Sequence, residues 1–491
     1  MKLGSIQTVC RSRRRYRPSR VFPVTAVLLC WAVASTAQTA NIAPPGQAIS
    51  GTQGVNTFSN SVPVKPVPGI VAISLPDAIN RGLKQNLGAL LSNADIRVAR
   101  GSLWEQLSAL LPHVTASPVV EVSKINLSEL GISIKTPALT LPTAVGPFSF
   151  FDARVSVNQS LFDWKSINNA RAASQSLNSA EYTYKDARDL VVLAVGYTYL
   201  QAIAEEARIE TARAQVETAQ AVYDQATDRV TAGTSPAIDA LRAKVELQTR
   251  QQQLIQASNN LAIEKLTVAR VIGLAPGQEF DLTDKSPYQP LRDITPEEAL
   301  KRAYLARSDY QAALSDTRAA EFARKAAVAG YFPSLSFDGD YGTGGQHPSN
   351  ATEVFDLRGT LTIPIFQGGR VHGDVLQAEA RAQQARERLD SLRAQIDADV
   401  RTALLNLSSS SELVSVALSN IDLSEQALLQ SRDRFAAGVT DTVEVVQAQE
   451  AAAGAHEQYI SSLYSYNLAK VSLARALGMA EEAAKHYFKG F

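Results

Sequence analysis

The sequence predicts a mainly α-helical fold with a small β part, in which one helix/β-hairpin/long-helix unit occurs twice. Three observations support this prediction. Blocks of the first half recur in the same order in the second half. Each half contains one very long proline-free stretch with heptad spacing. Each half also contains short segments in which apolar and polar residues alternate.

Residues 1–37 have the features of a secretory signal peptide. Residues 2–20 carry several basic side chains and no acidic one, and residues 21–33 form an apolar run that is followed by small residues. This run is too short to span about 30 Å of hydrocarbon comfortably, so we expect cleavage after Ala37 rather than a membrane anchor. Cys30 lacks the preceding small residue of a lipoprotein signal, and we do not expect it to be lipidated.

Removal of the signal peptide changes the charge and the cysteine content. The full chain has 48 basic residues, 48 acidic residues and two cysteines. Both cysteines and seven basic residues lie in residues 1–37, which leaves 41 basic against 48 acidic residues and no cysteine. A chain without a basic excess is not expected to bind nucleic acid. A chain without cysteine has no disulfide framework and no cysteine-based zinc site.

Internal alignment divides the rest of the chain into two repeats. Ala78–Pro112 aligns with Ala299–Pro333 without a gap, and Asp228–Leu274 aligns with Asp433–Met479. Blocks that recur in one order indicate duplication. The predicted parts of the mature chain are, in order, a flexible lead-in, the first repeat, an inter-repeat equatorial segment, the second repeat and a C-terminal tail: 38–72, 73–274, 275–292, 293–479 and 480–491.

Each repeat is predicted to contain one long helix lined by shorter ones. Lys165–Ala232 and Val371–Ala437 contain no proline, and helices of that length would reach about 100 Å. Small and apolar residues recur along them in four-three spacing, which indicates coiled-coil packing. The stretches Leu75–Leu111 and Pro236–Ile272 together match one long helix in length, so we expect them to stack end to end along it.

Four strands are predicted, at about 113–123 and 148–162 in the first repeat and about 334–342 and 353–366 in the second. Apolar residues alternate with polar or charged ones in the second strand of each pair, whereas alternation in 113–123 is poor. An apolar face opposite a charged face fits a membrane β-strand that faces a polar lumen. A half-exposed soluble sheet is the alternative, and the export signal favours the membrane. The residues predicted to face lipid are Phe151, Val155, Val157, Leu161, Phe355, Leu357, Leu361, Ile363 and Ile365.

Four strands per chain predict an oligomer. Membrane barrels start at about eight strands, and open sheet edges are not tolerated in lipid. Several copies must therefore share one barrel. Because an eight-stranded barrel is filled by side chains, an open duct favours three copies over two.

A short motif also occurs once in each repeat. Arg229-x-x-x-Gly233 is followed by Asp239, and Arg434-x-x-x-Gly438 is followed by Glu444. With this motif and the order of strands and long helices over 74–479, the chain resembles the TolC-like outer-membrane efflux protein family. The resemblance implies a homotrimer with a shared transmembrane β-barrel and an α-helical barrel that extends into the periplasm. It also implies a passive exit duct of a tripartite efflux or type I secretion system, with a periplasmic membrane-fusion adaptor and an inner-membrane pump as partners.

The resemblance places the motif at the periplasmic tip. The residues it assigns to adaptor docking are Arg229, Gly233, Ser235, Arg434, Gly438 and Thr440, and those it assigns to the pore constriction or gate are Asp239, Glu444 and Gln447. Phe435 and Thr440 stand where some members have a gate Tyr and Arg, so that latch is not expected here. The pattern also fits a plain turn, with left-handed glycine caps and with Ser235-Pro236 and Thr440-Asp441 as N-cap and first helical residue.

No motif indicates an enzyme. The five histidines are scattered, and no P-loop precedes a helix. We therefore expect no catalytic residue, no metal site and no cofactor. The alternative function is a non-pore periplasmic coiled-coil structural or adaptor protein, which would explain the long helices but not the alternating strands. The transported substrate and the class of pump do not follow from the sequence.

Overall fold

The computed structural model describes residues 58–127, 129, 131, 135–136, 139–140, 144–285, 288–291 and 294–485. The predicted signal peptide, the first part of the predicted lead-in and the end of the predicted tail lie outside the described residues.

β1 (Val71–Ile73) lies at the end of the lead-in. The first repeat then contains α1 (Leu75–Gln85), α2 (Leu87–Ser108), β2 (His113–Asn126), β3 (Lys135–Thr136), β4 (Leu139–Thr140), β5 (Ala144–Phe162), α3 (Trp164–Thr231) and α4 (Ala237–Ile272). After β6 (Phe280–Leu282), the second repeat contains α5 (Pro296–Ala306), α6 (Ser308–Val328), β7 (Ser334–Gly345), β8 (Thr352–Thr362), α7 (Arg370–Ala436) and α8 (Thr442–Ala476), and α9 (Ala480–Lys485) follows. The prediction of a mainly helical fold with a small β part is confirmed. Within the described part of the chain, every helix is too polar or too short to be a membrane span.

The helical segment before the strands is broken in both repeats, which corrects the single helix predicted over Leu75–Leu111. Asn86 has extended backbone angles between α1 and α2, and its side chain accepts a hydrogen bond from the Gly88 amide. Arg307 separates α5 from α6 and has nearly the same backbone angles as Asn86. The two breaks fall on equivalent positions of the repeat alignment, so the duplicated unit includes them.

The long helices α3 and α7 have 68 and 67 residues. Helices α2 and α4 pack along α3 one after the other, and α6 and α8 pack along α7. Because α3 also contacts α6 and α8, the order across the helices is α2, α3, α6, α7 near the strands and α4, α3, α8, α7 near the hairpin turns. Buried alanines at heptad spacing on α3, Ala212, Ala219 and Ala226, allow this close packing.

Strands β2, β5, β7 and β8 form one antiparallel sheet in that order. In its register Val155 lies opposite Ala116 and Tyr341, and Tyr341 lies opposite Phe355. Directly opposed residues share a face, so the sheet has one apolar face. β2 alternates more regularly than the sequence indicated. Val119 obscures the pattern, because it is an apolar residue on the polar face.

The sheet also shortens one predicted strand. β8 ends at Thr362, so Ile363 and Ile365, predicted as lipid-facing strand residues, follow the strand instead. Pro364 between them has no backbone N–H for a further ladder bond.

Residues 58–72 were predicted as flexible, and the structure corrects this. Phe58 is buried, and its carbonyl accepts a hydrogen bond of 2.6 Å from the Asn86 side chain. β1 pairs in parallel with β6 of the inter-repeat segment. The Val62 amide donates to the Gln85 carbonyl at 2.8 Å. The backbone groups of the lead-in therefore find partners in the first repeat and in the equatorial segment.

A cluster of largely buried charges joins the two repeats. Arg475 on α8 pairs with Asp186 on α3 at 2.5 Å and lies 3.9 Å from Asp309. Arg307 pairs with Asp309 at 2.6 Å and with Asp399 on α7 at 3.1 Å. Three carboxylates, those of Asp186, Asp309 and Asp399, thus share the two guanidinium groups of this cluster.

We expect this cluster to make the protein more stable near pH 5 than near pH 7.5. Burial raises the pKa of the Asp186 carboxyl from 3.8 to about 6, despite the attraction of Arg475. The folded state therefore binds a proton that the unfolded state has lost, so this stabilisation is present at low pH and disappears as the pH rises through 6. The gain is about 1 kcal/mol at pH 5.

Thermal unfolding of the detergent-solubilised protein, followed by circular dichroism at both pH values, measures this effect. Asp186→Asn removes the titrating group and should reduce the difference between the two midpoints. Asp397→Asn is the control, because Asp397 pairs with Arg401 on the exposed face of α7. An unchanged difference in Asp186→Asn would show that another group causes the pH dependence.

Candidate functional site

The end of each long helix has the same C-terminal cap. In the first repeat the Gly233 amide donates to the Val230 carbonyl and the Thr234 amide donates to the Arg229 carbonyl. In the second repeat the amides of Gly438 and Val439 make the equivalent bonds to the carbonyls of Phe435 and Arg434. Both glycines have a positive φ, of 73° and 76°. This pattern is a Schellman motif, and it reverses the chain into α4 and α8.

The return helices begin one residue later than the sequence predicts. Pro236 is the N-cap of α4, without a side-chain cap bond, and Asp441 is the N-cap of α8. The Asp441 carboxylate accepts hydrogen bonds from two amides of the first turn, at 3.2 and 3.4 Å. Ser235 and Thr440, predicted as N-caps, instead donate hydrogen bonds of 2.5 Å to carboxylates four residues on.

The two carboxylates predicted at the constriction or gate, Asp239 and Glu444, therefore accept hydrogen bonds from residues of their own hairpin. Asp239 is buried, accepts from Ser235 and lies 3.7 Å from Arg242. Glu444 is half-buried, accepts from Thr440 and lies 3.5 Å from Arg434. Gln447, in contrast, is exposed on α8.

A small apolar core holds the four tip helices together. Its buried members are Val222 and Ala226 on α3, Ala243 on α4, Phe435 on α7 and Val445 on α8. The guanidinium of Arg229 lies 4.3 Å from the centroid of the Phe435 ring. The sequence did not reveal this contact between the two repeats, because the two residues are far apart in the chain and the motif alone does not pair them.

The apolar face of the sheet is exposed in the chain. Phe355, Leu357 and Leu361 are 69%, 68% and 61% exposed, and Val155 and Leu161 on β5 are also exposed. The opposite face carries charged groups: Arg154 pairs with Asp152 at 2.8 Å and with Asp340 at 3.0 Å. The sheet thus has one face suited to lipid and one suited to water.

Both edges of the sheet are unpaired within the described part of the chain. β2 and β8 each have only one neighbour in the sheet, and an open edge exposes backbone hydrogen-bonding groups. The outer helices also leave apolar side chains exposed. Exposed apolar side chains follow heptad spacing along α4, at Ile238, Leu241, Val245, Ile255 and Leu266, and others lie on one face of α7, at Leu405, Val416 and Leu423. Within the described residues, both sheet edges and these helix faces are therefore exposed.

In the described residues no group of three or more His, Cys, Asp or Glu side chains is placed to hold a metal ion. The helical fold and the two faces of the sheet define a class of protein: a channel of the bacterial outer membrane, with an α-helical part that extends into the periplasm. A sequence model described as Outer membrane efflux protein matches residues 88–274 and 299–479, which include most of both repeats. The chain belongs to the outer membrane efflux protein family.

Named relatives support the same assignment. The pyoverdine export outer membrane protein OpmQ of Pseudomonas aeruginosa is 24% identical over 417 residues, which cover 83% of this chain and 85% of OpmQ. Outer membrane protein TolC of Escherichia coli is 24% identical over 352 residues, 67% of this chain and 70% of TolC. The alkaline protease secretion protein AprF of Pseudomonas aeruginosa is 23% identical over 347 residues, 68% of this chain and 71% of AprF.

Solved structures show the same fold. The Campylobacter jejuni CmeC outer membrane channel superposes with a TM-score of 0.70 at 18% identity, over 83% of this chain and 86% of CmeC. The outer membrane protein VceC of Vibrio cholerae has a TM-score of 0.70 at 18% identity, over 82% of this chain and 96% of VceC. The predicted family, fold class and cellular location are confirmed.

Proposed function

We propose that the protein is the passive outer-membrane exit duct of a tripartite efflux or type I secretion system. The observation that carries this proposal is the four-stranded sheet, which has a lipid-suited face, a charged face and two open edges. Only closure with further copies satisfies those edges in lipid. Three copies give a barrel of about twelve strands, wide enough for an open lumen.

The helical part also supports a head-to-tail arrangement, in which one side of each chain contacts the opposite side of the next chain. β2, α2 and α4 form one side of the chain, and β8 and α7 form the other, through the packing order described above. A contact between two different sides of identical copies closes into a ring when the rotation permits. The exposed apolar residues of α4 and α7 would then be covered by neighbouring copies.

The helical hairpin turns are proposed as the periplasmic tip that docks to a membrane-fusion adaptor, which in turn connects to an inner-membrane pump. The exposed residues there include Gly233 and Gly438 at the two turns. The relatives are named for different cargoes, pyoverdine in one and alkaline protease in another. A passive duct takes its cargo from the pump, so the pump that the protein serves would determine the substrate.

Fractionation and planar-bilayer recording test the proposal together. We expect a detergent-requiring, heat-modifiable oligomer in outer membranes and stable conductance in bilayers. Release with the periplasmic contents and no conductance would favour a non-pore coiled-coil protein. That alternative would leave the apolar face of the sheet exposed to water.

We expect Glu444 to contribute to a constriction of the pore and to favour cations modestly. Its carboxylate is half-buried, accepts a hydrogen bond from Thr440 and lies 3.5 Å from Arg434. Because these groups offset part of its charge, we expect only a modest effect on selectivity. Glu444→Gln should lower the preference for potassium over chloride by roughly twofold, an effect of a few tenths of a kcal/mol. Reversal potentials in planar bilayers under a salt gradient measure this preference.

Glu450→Gln is the matched control for this prediction. Glu450 is exposed on α8, six residues further along, and so lies on a different face of the helix. Unchanged conductance and ion selectivity in Glu444→Gln would exclude Glu444 from the constriction.

A further inference from the structure

Two phenylalanines lie on the charged face of the sheet instead of the apolar one. In the register of β5 with β2, Phe148 is opposite Ser123 and Phe150 is opposite Glu121. Residues two apart in a strand share a face, so both rings are on the face of Asp152. They are 38% and 42% exposed. In the proposed barrel these two rings therefore face the lumen and not the lipid.

Both phenylalanines lie near the start of β5, at the end furthest from α3. β5 has 19 residues, whereas a tilted strand needs only about 9–11 to cross the membrane. The pairing of β5 with β7 ends at Phe151, so Phe148 and Phe150 extend beyond the edge of β7. Since α3 leads into the periplasm, the two rings are at the opposite end of the barrel, where cargo leaves it.

The spacing of the two rings suits a planar group. Side chains two residues apart on a strand are separated by about 6.8 Å, and carbon atoms make contact at about 3.5 Å. Among the described residues, neither ring packs against another aromatic ring. A flat ring inserted between Phe148 and Phe150 would thus touch both, and the negative faces of the two rings would attract a cation.

The charges around the two rings also favour a cation. Glu121 is directly opposite Phe150, with about 5 Å between their Cβ atoms, and it is exposed and forms no ion pair with the described residues. Arg154, further along β5, is held by Asp152 and Asp340. Acidic residues outnumber basic ones on this face: Glu121, Asp152, Asp338, Asp340 and Asp356 against Arg154 and Arg358, with Lys124 at the adjoining bulge.

We propose that Phe148, Phe150 and Glu121 form a binding site for organic cations that carry an aromatic ring, one site in each chain at the exit of the barrel. This inference rests on the proposed duct function, which turns this face of the sheet towards the lumen. The ring of the bound ion lies between the two phenylalanines, and its positive charge lies near the Glu121 carboxylate. Aromatic cations that leave the duct are held there briefly, and the same ions supplied from outside block it.

Three small ions test the site in a titration of the detergent-solubilised protein, followed by saturation-transfer difference NMR with empty micelles as background. Benzyltrimethylammonium has both the ring and the positive charge, tetramethylammonium lacks the ring, and benzenesulfonate has a negative charge. The variants are Phe148→Leu, Phe150→Leu and Glu121→Gln. Phe355→Leu is the matched control, because Phe355 is an exposed phenylalanine on the apolar face, opposite Tyr341.

We expect benzyltrimethylammonium to bind the unsubstituted protein and Phe355→Leu with equal affinity. The other two ions should bind at least about fivefold more weakly, because each lacks one of the two attractions. The dissociation constant of benzyltrimethylammonium should rise roughly fivefold in Phe148→Leu and in Phe150→Leu, and roughly twofold in Glu121→Gln. In planar bilayers this ion should block the current at lower concentration from the extracellular side than from the periplasmic side.

Equal affinities in Phe150→Leu and Phe355→Leu, or equal binding of benzyltrimethylammonium and benzenesulfonate, would overturn the site. Binding that occurs only after the loop between β2 and β5 is shortened would also overturn it, because the loop would then be the occupant of this surface. Absence of conductance in the unsubstituted protein would contradict the duct function instead. The dissociation constants would still report on the site in that case, so the two failures are distinguishable.

Discussion

Replacement of Leu357 by arginine is expected to abolish assembly of the protein in the outer membrane. Leu357 lies in the middle of β8, is 68% exposed and is directly opposite Gly339 on the apolar face of the sheet. An arginine on the lipid face costs about 2–4 kcal/mol at the middle of the bilayer. The proposed assembly contains one such position in every copy, so each oligomer incurs the cost once per copy.

Thr360→Arg is the matched control on the same strand. Thr360 is three residues away and lies on the opposite face, beside Ser336 of β7, where a charged side chain would face the lumen. Gel mobility of unheated and heated outer-membrane fractions measures the oligomer. Assembly of Leu357→Arg at the level of Thr360→Arg would mean that the apolar face does not contact lipid.

Replacement of Gly342 by alanine is expected to disrupt the centre of the sheet. A Cβ atom at this position would lie 2.1 Å from the Ala153 carbonyl oxygen and 2.7 Å from the Arg154 Cα atom. Both are backbone atoms of β5, so the clash cannot be relieved by a rotamer change and costs about 3 kcal/mol or more. The pairing of β5 with β7 also joins the two repeats within the sheet.

Gly359→Ala separates this effect from a general intolerance of alanine. Gly359 is on β8, and a Cβ atom there would meet nothing within 4 Å. The yield of heat-modifiable oligomer should fall at least several-fold in Gly342→Ala and remain near normal in Gly359→Ala. Similar yields for the two variants would indicate that β5 and β7 are not paired in the register described.

Local patterns account for the parts of the fold that the sequence predicted well. Heptad spacing identified the long helices α3 and α7, and alternation identified β5 and β8, because each pattern reflects packing along one element. The breaks at Asn86 and Arg307 were missed because neither residue is a proline or a glycine. Asn86 is held by Phe58, a contact with a segment that composition alone classed as flexible.

The helical tip, too, was predicted only where local patterns determine it. The glycines predicted the turns, since a left-handed cap is a local requirement. Asp441 could have been recognised as the N-cap, because aspartate is a stronger N-cap than threonine. The contact between Arg229 and Phe435 depends on how two distant hairpins pack, and one sequence contains no signal for it. The open edges of the sheet likewise became visible only once the strand order was known.

Electron cryomicroscopy of the protein purified from outer membranes tests the central claim most directly. The proposed duct predicts three chains around one axis, with β2 of each chain hydrogen-bonded to β8 of the next and the apolar face of the sheet turned outward. It also predicts that the α4 and α7 surfaces of neighbouring chains are in contact. A different number of chains, or a sheet whose β2 and β8 edges are covered by anything other than a second copy, would contradict it.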